Sequence, residues 1–100
     1  MERQQLEQDS SVFKSFKIAD DILYRQVENE AVLLHIPSGM YYSLNETGVK
    51  FWEGIQTNSP EQVIEQIVNE YAVESWHVHQ DLLAFLDDLA SYGIVSWVNE

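Results

Sequence analysis

A chain of 100 residues, 45 % of them apolar and 12 % aromatic, can bury one modest core but not two, and this composition excludes a disordered chain. The absence of cysteine excludes disulfides, thiolate metal sites and a thiol nucleophile, and permits a reducing, cytoplasmic setting. The net charge is −12, with nine acidic and no basic residues from Phe51 to Glu100; this disfavours nucleic acid and favours a cationic peptide or protein surface, unless the acid serves solubility alone.

The chain opens with MERQQLEQDSS, which lacks the apolar run of a signal peptide, and no later apolar stretch nears the ~18 residues of a membrane helix. Residues 1–18 read as a mobile N-terminal arm, with VFKSFKI (Val12–Ile18) able to form a short edge strand. Residues 19–100 read as the domain.

Three stronger strands follow. ILYRQV (Ile22–Val27) is β-branched and aromatic, and EAVLLHI (Glu30–Ile36) is apolar on both faces, as a covered central strand would be. Between them Glu28-Asn29 suits a tight turn, with Asn29 the residue that tolerates positive φ. MYYSL (Met40–Leu44) is the third, and Gly39 stands where the preceding turn needs positive φ. Loops this short give an antiparallel meander, which makes Met40–Leu44 a sheet edge.

The pattern then turns helical. Asn45 caps a helix carrying Val49, Phe51, Trp52 and Ile55, with Glu46 in its first turn. In SPEQ, Ser59 caps, Pro60 takes the first helical position and Gln62 closes a capping box. Val63, Ile64, Ile67, Val68 and Tyr71 form the apolar face of that second helix. A third helix runs from near Ser75 to Tyr92, with Gly93 as its C′ residue, and IVSWV (Ile94–Val98) is a terminal strand or tail. The fold class is α+β: a three-stranded antiparallel sheet followed by three helices, with the lengths of a winged-helix-like unit.

Val78, Leu82, Phe85 and Leu89 make a compact stripe on the third helix, and His79, Leu83, Leu86 and Ala90 widen it to one side. The width suits a core helix packed on two sides, or a helix whose flank lines a groove beside the third strand. An open strand edge invites strand addition, with backbone bonds positioning a peptide and side-chain pockets selecting it.

Catalytic signatures are missing. His77 and His79 diverge around the helix by about 200° and lack a third ligand, so no metal or other cofactor is expected. His35 reads as a strand residue with a hydrogen-bond partner. Asp87 and Asp88 face different ways, and no serine lies in a nucleophile elbow, so the chain is not expected to be an enzyme.

From Ile22 to about Val95 the chain resembles the PqqD-like family, the small domains called RiPP recognition elements. The resemblance rests on VLLHIPSGMYYSLNETGVKFWEGI, on Ser59-Pro60-Glu61, and on DLLAFLDDLASYGIV. It implies a winged-helix-like, non-catalytic adaptor for the leader segment of a ribosomally made precursor peptide. The leader adds as a strand beside Met40, Tyr41, Tyr42, Ser43 and Leu44, in a cleft against the third helix. The helix residues assigned to that cleft are His79, Leu82, Leu83 and Leu86. The resemblance further implies separate modifying enzymes as partners: a leader peptidase and a macrocyclase in the lasso-peptide branch, a radical enzyme in the pyrroloquinoline quinone branch. The quinone branch often carries Cys-Asp-Gly after the first helix, where this chain reads Glu53-Gly54-Ile55-Gln56; Phe51-Trp52-Glu53 is closer in look to the lasso type. Three rivals stand beside this reading. DNA binding by a winged helix lacks basic residues on the third helix, a small enzyme lacks a site, and a homodimerising structural domain stays open.

Overall fold

The computed structural model describes residues 15–98; the first part of the expected N-terminal arm, residues 1–14, lies outside the described residues. The elements are β1 (Phe16–Ile18), β2 (Ile22–Val27), β3 (Glu30–His35), β4 (Met40–Leu44), α1 (Glu46–Ile55), α2 (Pro60–Tyr71), α3 (Ser75–Ser91) and β5 (Val95–Trp97). The α+β reading holds, with the sheet β2-β3-β4 antiparallel and followed by three helices.

The two hairpin turns follow backbone chemistry. At the β2–β3 turn, Val27 pairs with Glu30 and the positive φ falls on Glu28 (60°). The expectation for Asn29 is thereby corrected: a positive φ at the first of two turn residues is the II′ pattern, which leaves the second at negative φ. At the β3–β4 turn Gly39 takes φ 73°, as its position requires, and its N–H donates to His35 O at 2.8 Å. His35 Nδ1 lies 2.8 Å from Ser38 Oγ, so this strand histidine has its partner within the same turn.

The segment Phe16–Ile18 is a strand, and it pairs with β5 rather than with the main sheet. Phe16 meets Trp97 edge-on at 5.8 Å, and Ala19 N–H donates to Ile94 O at 2.8 Å. This ribbon ties the start of the described chain to the end of α3.

Local capping fixes the helix ends. Asn45 Oδ1 accepts the Gly48 N–H at 2.8 Å, so strand becomes helix within one residue of Leu44. Ser59 and Gln62 form the reciprocal box. At the end of α3, Ile94 N–H reaches Leu89 O and Gly93 N–H reaches Ala90 O, a Schellman motif with Gly93 at φ 80°.

The core lies between the helices and one face of the sheet. Ala31, Leu33 and Leu44 pack with Val49, Phe51 and Trp52 of α1, Val63 and Ile67 of α2, and Val78, Leu82, Phe85, Leu86 and Leu89 of α3. The other sheet face is uncovered: Leu23 is 57 % exposed and Tyr41 66 %, with Val32 and Leu34 half-buried between them. The apolar pattern of β3 therefore marks a strand central in pairing but covered on one face only. Among the described residues no helix is long and apolar enough to cross a membrane.

Candidate functional site

β4 is an edge strand, and hydrogen-bond directions show which of its groups are free. Ile36 N–H donates to Asp21 O on the β2 side, while His35 O accepts from Gly39 on the β4 side. Backbone polar groups alternate along a strand, so Ala31, Leu33 and His35 bond to their partners Leu44, Tyr42 and Met40. Tyr41 and Ser43 are left with their N–H and C=O groups directed along the open edge.

Beside this edge, β4 and the start of α1 face α3 across a groove of about 600 Å³. Tyr42, Ser43 and Leu44 line one wall, and Asp81, Ala84, Phe85 and Asp88 line the other. Glu30 adds a third carboxylate, and among the described residues no Lys or Arg lines it. An apolar floor with an acidic rim suits a peptide with apolar and basic side chains.

Tyr42 spans the groove. Its ring meets Tyr92 edge-on at 4.9 Å and Phe85 at 6.3 Å, and its hydroxyl donates to Asp88 Oδ2 at 3.3 Å. Burial, then the charge and hydrogen bond of Asp88, push the Tyr42 phenol from 10.0 up to about 12. The hydroxyl is thus held protonated, as a donor to the helix.

The structure divides the nine residues assigned to the cleft from sequence. Tyr42, Ser43 and Leu44 line the groove, with Leu44 itself buried. Met40 and Tyr41 are exposed along the same strand. On the helix the groove is lined by other residues than those assigned. Leu82 and Leu86 are 0 % exposed and belong to the core, and turning either outward would forfeit about 1.5–3 kcal/mol of apolar burial. His79 and Leu83 are half-buried and do not line the groove. The helix flank facing β4 is Asp81, Ala84, Phe85 and Asp88. The sequence signal for it was their i, i+3, i+4, i+7 spacing, masked by the greater apolarity of the opposite flank.

On α3, His77 stacks on Trp76 at 3.8 Å. No group of three His, Asp or Glu residues among the described residues is arranged to hold a metal ion.

Two solved structures share this architecture. One, "TbiB1 in Complex with the TbiA(beta) Leader Peptide", is 30 % identical, aligns over 84 % of this chain and 99 % of its own, and has a TM-score of 0.77. Another, "Lasso peptide synthetase B1 complexed with the leader peptide", is 28 % identical over 80 % and 95 % of the two chains, with a TM-score of 0.70. No curated protein sequence matches significantly. Residues 30–95, which run from the acidic rim at Glu30 through the edge strand and α3 to β5, match the family model for coenzyme PQQ synthesis protein D, and the chain belongs to this PqqD family.

Proposed function

We propose that the protein is a non-catalytic adaptor that binds the leader segment of a ribosomally synthesised precursor peptide. The leader adds as an extra strand to β4, above the groove against α3, and the adaptor presents the precursor to separate modifying enzymes in the cytoplasm. The observation that carries this reading is the edge of β4, unpaired among the described residues, where Tyr41 and Ser43 direct their backbone groups outward beside a groove with an apolar floor. Alternate leader side chains would enter between Tyr42 and Phe85, and basic ones would meet Glu30, Asp81 and Asp88.

Both similar structures are complexes with leader peptides, and one of them is a lasso peptide synthetase B1, which supports the lasso branch, with a leader peptidase and macrocyclase as partners. The description of the family model supports a peptide chaperone for quinone synthesis as the second reading. The edge geometry serves either precursor.

The test is an amide NMR titration of labelled protein with the leader of a precursor encoded beside it. Shifts should centre on Tyr41, Ser43 and the Asp81–Asp88 flank. Ser43→Pro removes an outward donor without touching the β3 ladder, so the protein should stay folded and bind the leader about tenfold more weakly. Tyr42→Pro removes a donor that faces β3 and should unfold the edge instead. Full affinity in a folded Ser43→Pro protein would exclude addition at this edge.

A further inference from the structure

Among the described residues the sheet has a second open edge, at β2. Asp21 O accepts from Ile36, and the register continues with Leu23, Arg25 and Val27 opposite Leu34, Val32 and Glu30. The alternation that frees Tyr41 and Ser43 on β4 therefore frees Ile22, Tyr24 and Gln26 on β2. β2 pairs over six residues without a bulge, contains no proline, and is covered by no further strand among the described residues. None of the usual devices that blunt an edge interrupts its backbone.

A groove of about 510 Å³ lies beside this edge, between Ile18 and Ile22 on one side and Trp52 and Glu53 of α1 on the other. The Tyr24 ring lies 6.4 Å from that of Trp52, and its hydroxyl donates to Glu53 Oε2 at 2.9 Å. This repeats the arrangement at β4: an edge strand, a helix alongside, and a strand tyrosine bonded to a helix carboxylate. Asp20 and Glu53 line the groove, and among the described residues no Lys or Arg does.

We propose that the β2 edge is a second strand-addition site, which takes an extended segment of a partner protein alternating apolar and basic residues. Charge selects this occupant over a second copy of the chain, because two copies would bring Asp20 and Glu53 together within a pair of molecules of −12 each. Backbone bonds to Ile22, Tyr24 and Gln26 set the register, apolar side chains lie against Trp52, and a Lys or Arg meets Glu53. Identifying the partner as a modifying enzyme rests on the leader-binding reading; leader and enzyme then flank one continuous five-stranded sheet, in the order enzyme, β2, β3, β4, leader.

The probe is a blocked synthetic peptide of alternating Lys and Val, titrated into the full labelled chain and compared with its Glu-Val counterpart. The Lys-Val peptide should shift the Ile22, Tyr24 and Gln26 amides and the Trp52 indole, and the Glu-Val peptide should not. Glu53→Lys should weaken this response about tenfold. Gln26→Pro, which removes an outward N–H and spares the ladder, should do the same. Four outcomes overturn the proposal: no shifts at β2, equal response to both peptides, an unchanged response in both folded variants, or β2 shifts on raising the protein concentration alone, which would assign the edge to a second copy. The leader titration reads at Tyr41 and Ser43, so failure of the leader-binding reading shows separately from failure at β2.

Discussion

Tyr42 connects the receiving strand to α3, and its ionisation is the most direct probe of that connection. Its folded-state pKa of about 12 stands above the ordinary 10.0, so folding favours the protonated phenol. The stability this contributes is fully present below pH 10, and it is lost as pH rises from 10 through 12, because the unfolded chain then releases the proton first. Tyr42→Phe should accordingly flatten the decline in urea midpoint between those pH values. A variant that loses stability as steeply as the parent would place the titration elsewhere. The sequence showed that Tyr41 and Tyr42 face opposite ways, since side chains alternate along any strand. It did not show which hydroxyl would meet Asp88, 46 positions later, because that bond requires α3 to cross beside β4.

Among the elements, the approach of α1 to α2 is set by one missing side chain. A Cβ on Gly54 would lie 2.8 Å from Val63 Cγ2, and Val63 is fully buried in the core. Gly54→Ala should cost about 1–3 kcal/mol through overpacking. The double variant with Val63→Ala should be more stable than the sum of the single changes predicts, since the smaller side chain makes room. Urea midpoints at constant slope measure both, and simple additivity would mean that the helices do not meet at this point. The start of each of the first two helices was legible from Asn45 and from Ser59-Pro60-Glu61-Gln62, because a cap acts within one turn of its own backbone. The helix α3 starts without a side-chain cap, and Glu74 merely precedes it. Its position follows from the apolar stripe and from the Gly93 stop.

For the whole molecule, charge is the property that most constrains partners. The groove beside β4 is rimmed by Glu30, Asp81 and Asp88, within a chain of net charge −12. A basic leader should bind more weakly as salt rises, because at 0.1 M the screening length of about 10 Å is comparable with the groove itself. Calorimetric titrations at low and physiological salt would measure this, and affinity that rises with salt would indicate purely apolar recognition. The ribbon β1–β5 acts on the same scale: it pairs the two ends of the described chain with each other rather than with the main sheet, and among the described residues both edges of that sheet stay unpaired.

The sequence by itself determined the class, the order of the elements, the edge position of Met40–Leu44 and the caps at Asn45 and Ser59. Each of these depends on interactions within a few residues, or on apolar periodicity, which a linear pattern records. Tertiary structure decided which face of the sheet stays bare, which backbone groups point outward, and which flank of α3 meets the groove. The reversal on α3 has a simple cause. Apolarity marks Leu82 and Leu86 as buried but cannot say against what, and the core claimed them. Asp81, Ala84, Phe85 and Asp88 became the groove wall because burying their apolar neighbours turned that more polar flank toward the open edge of the sheet.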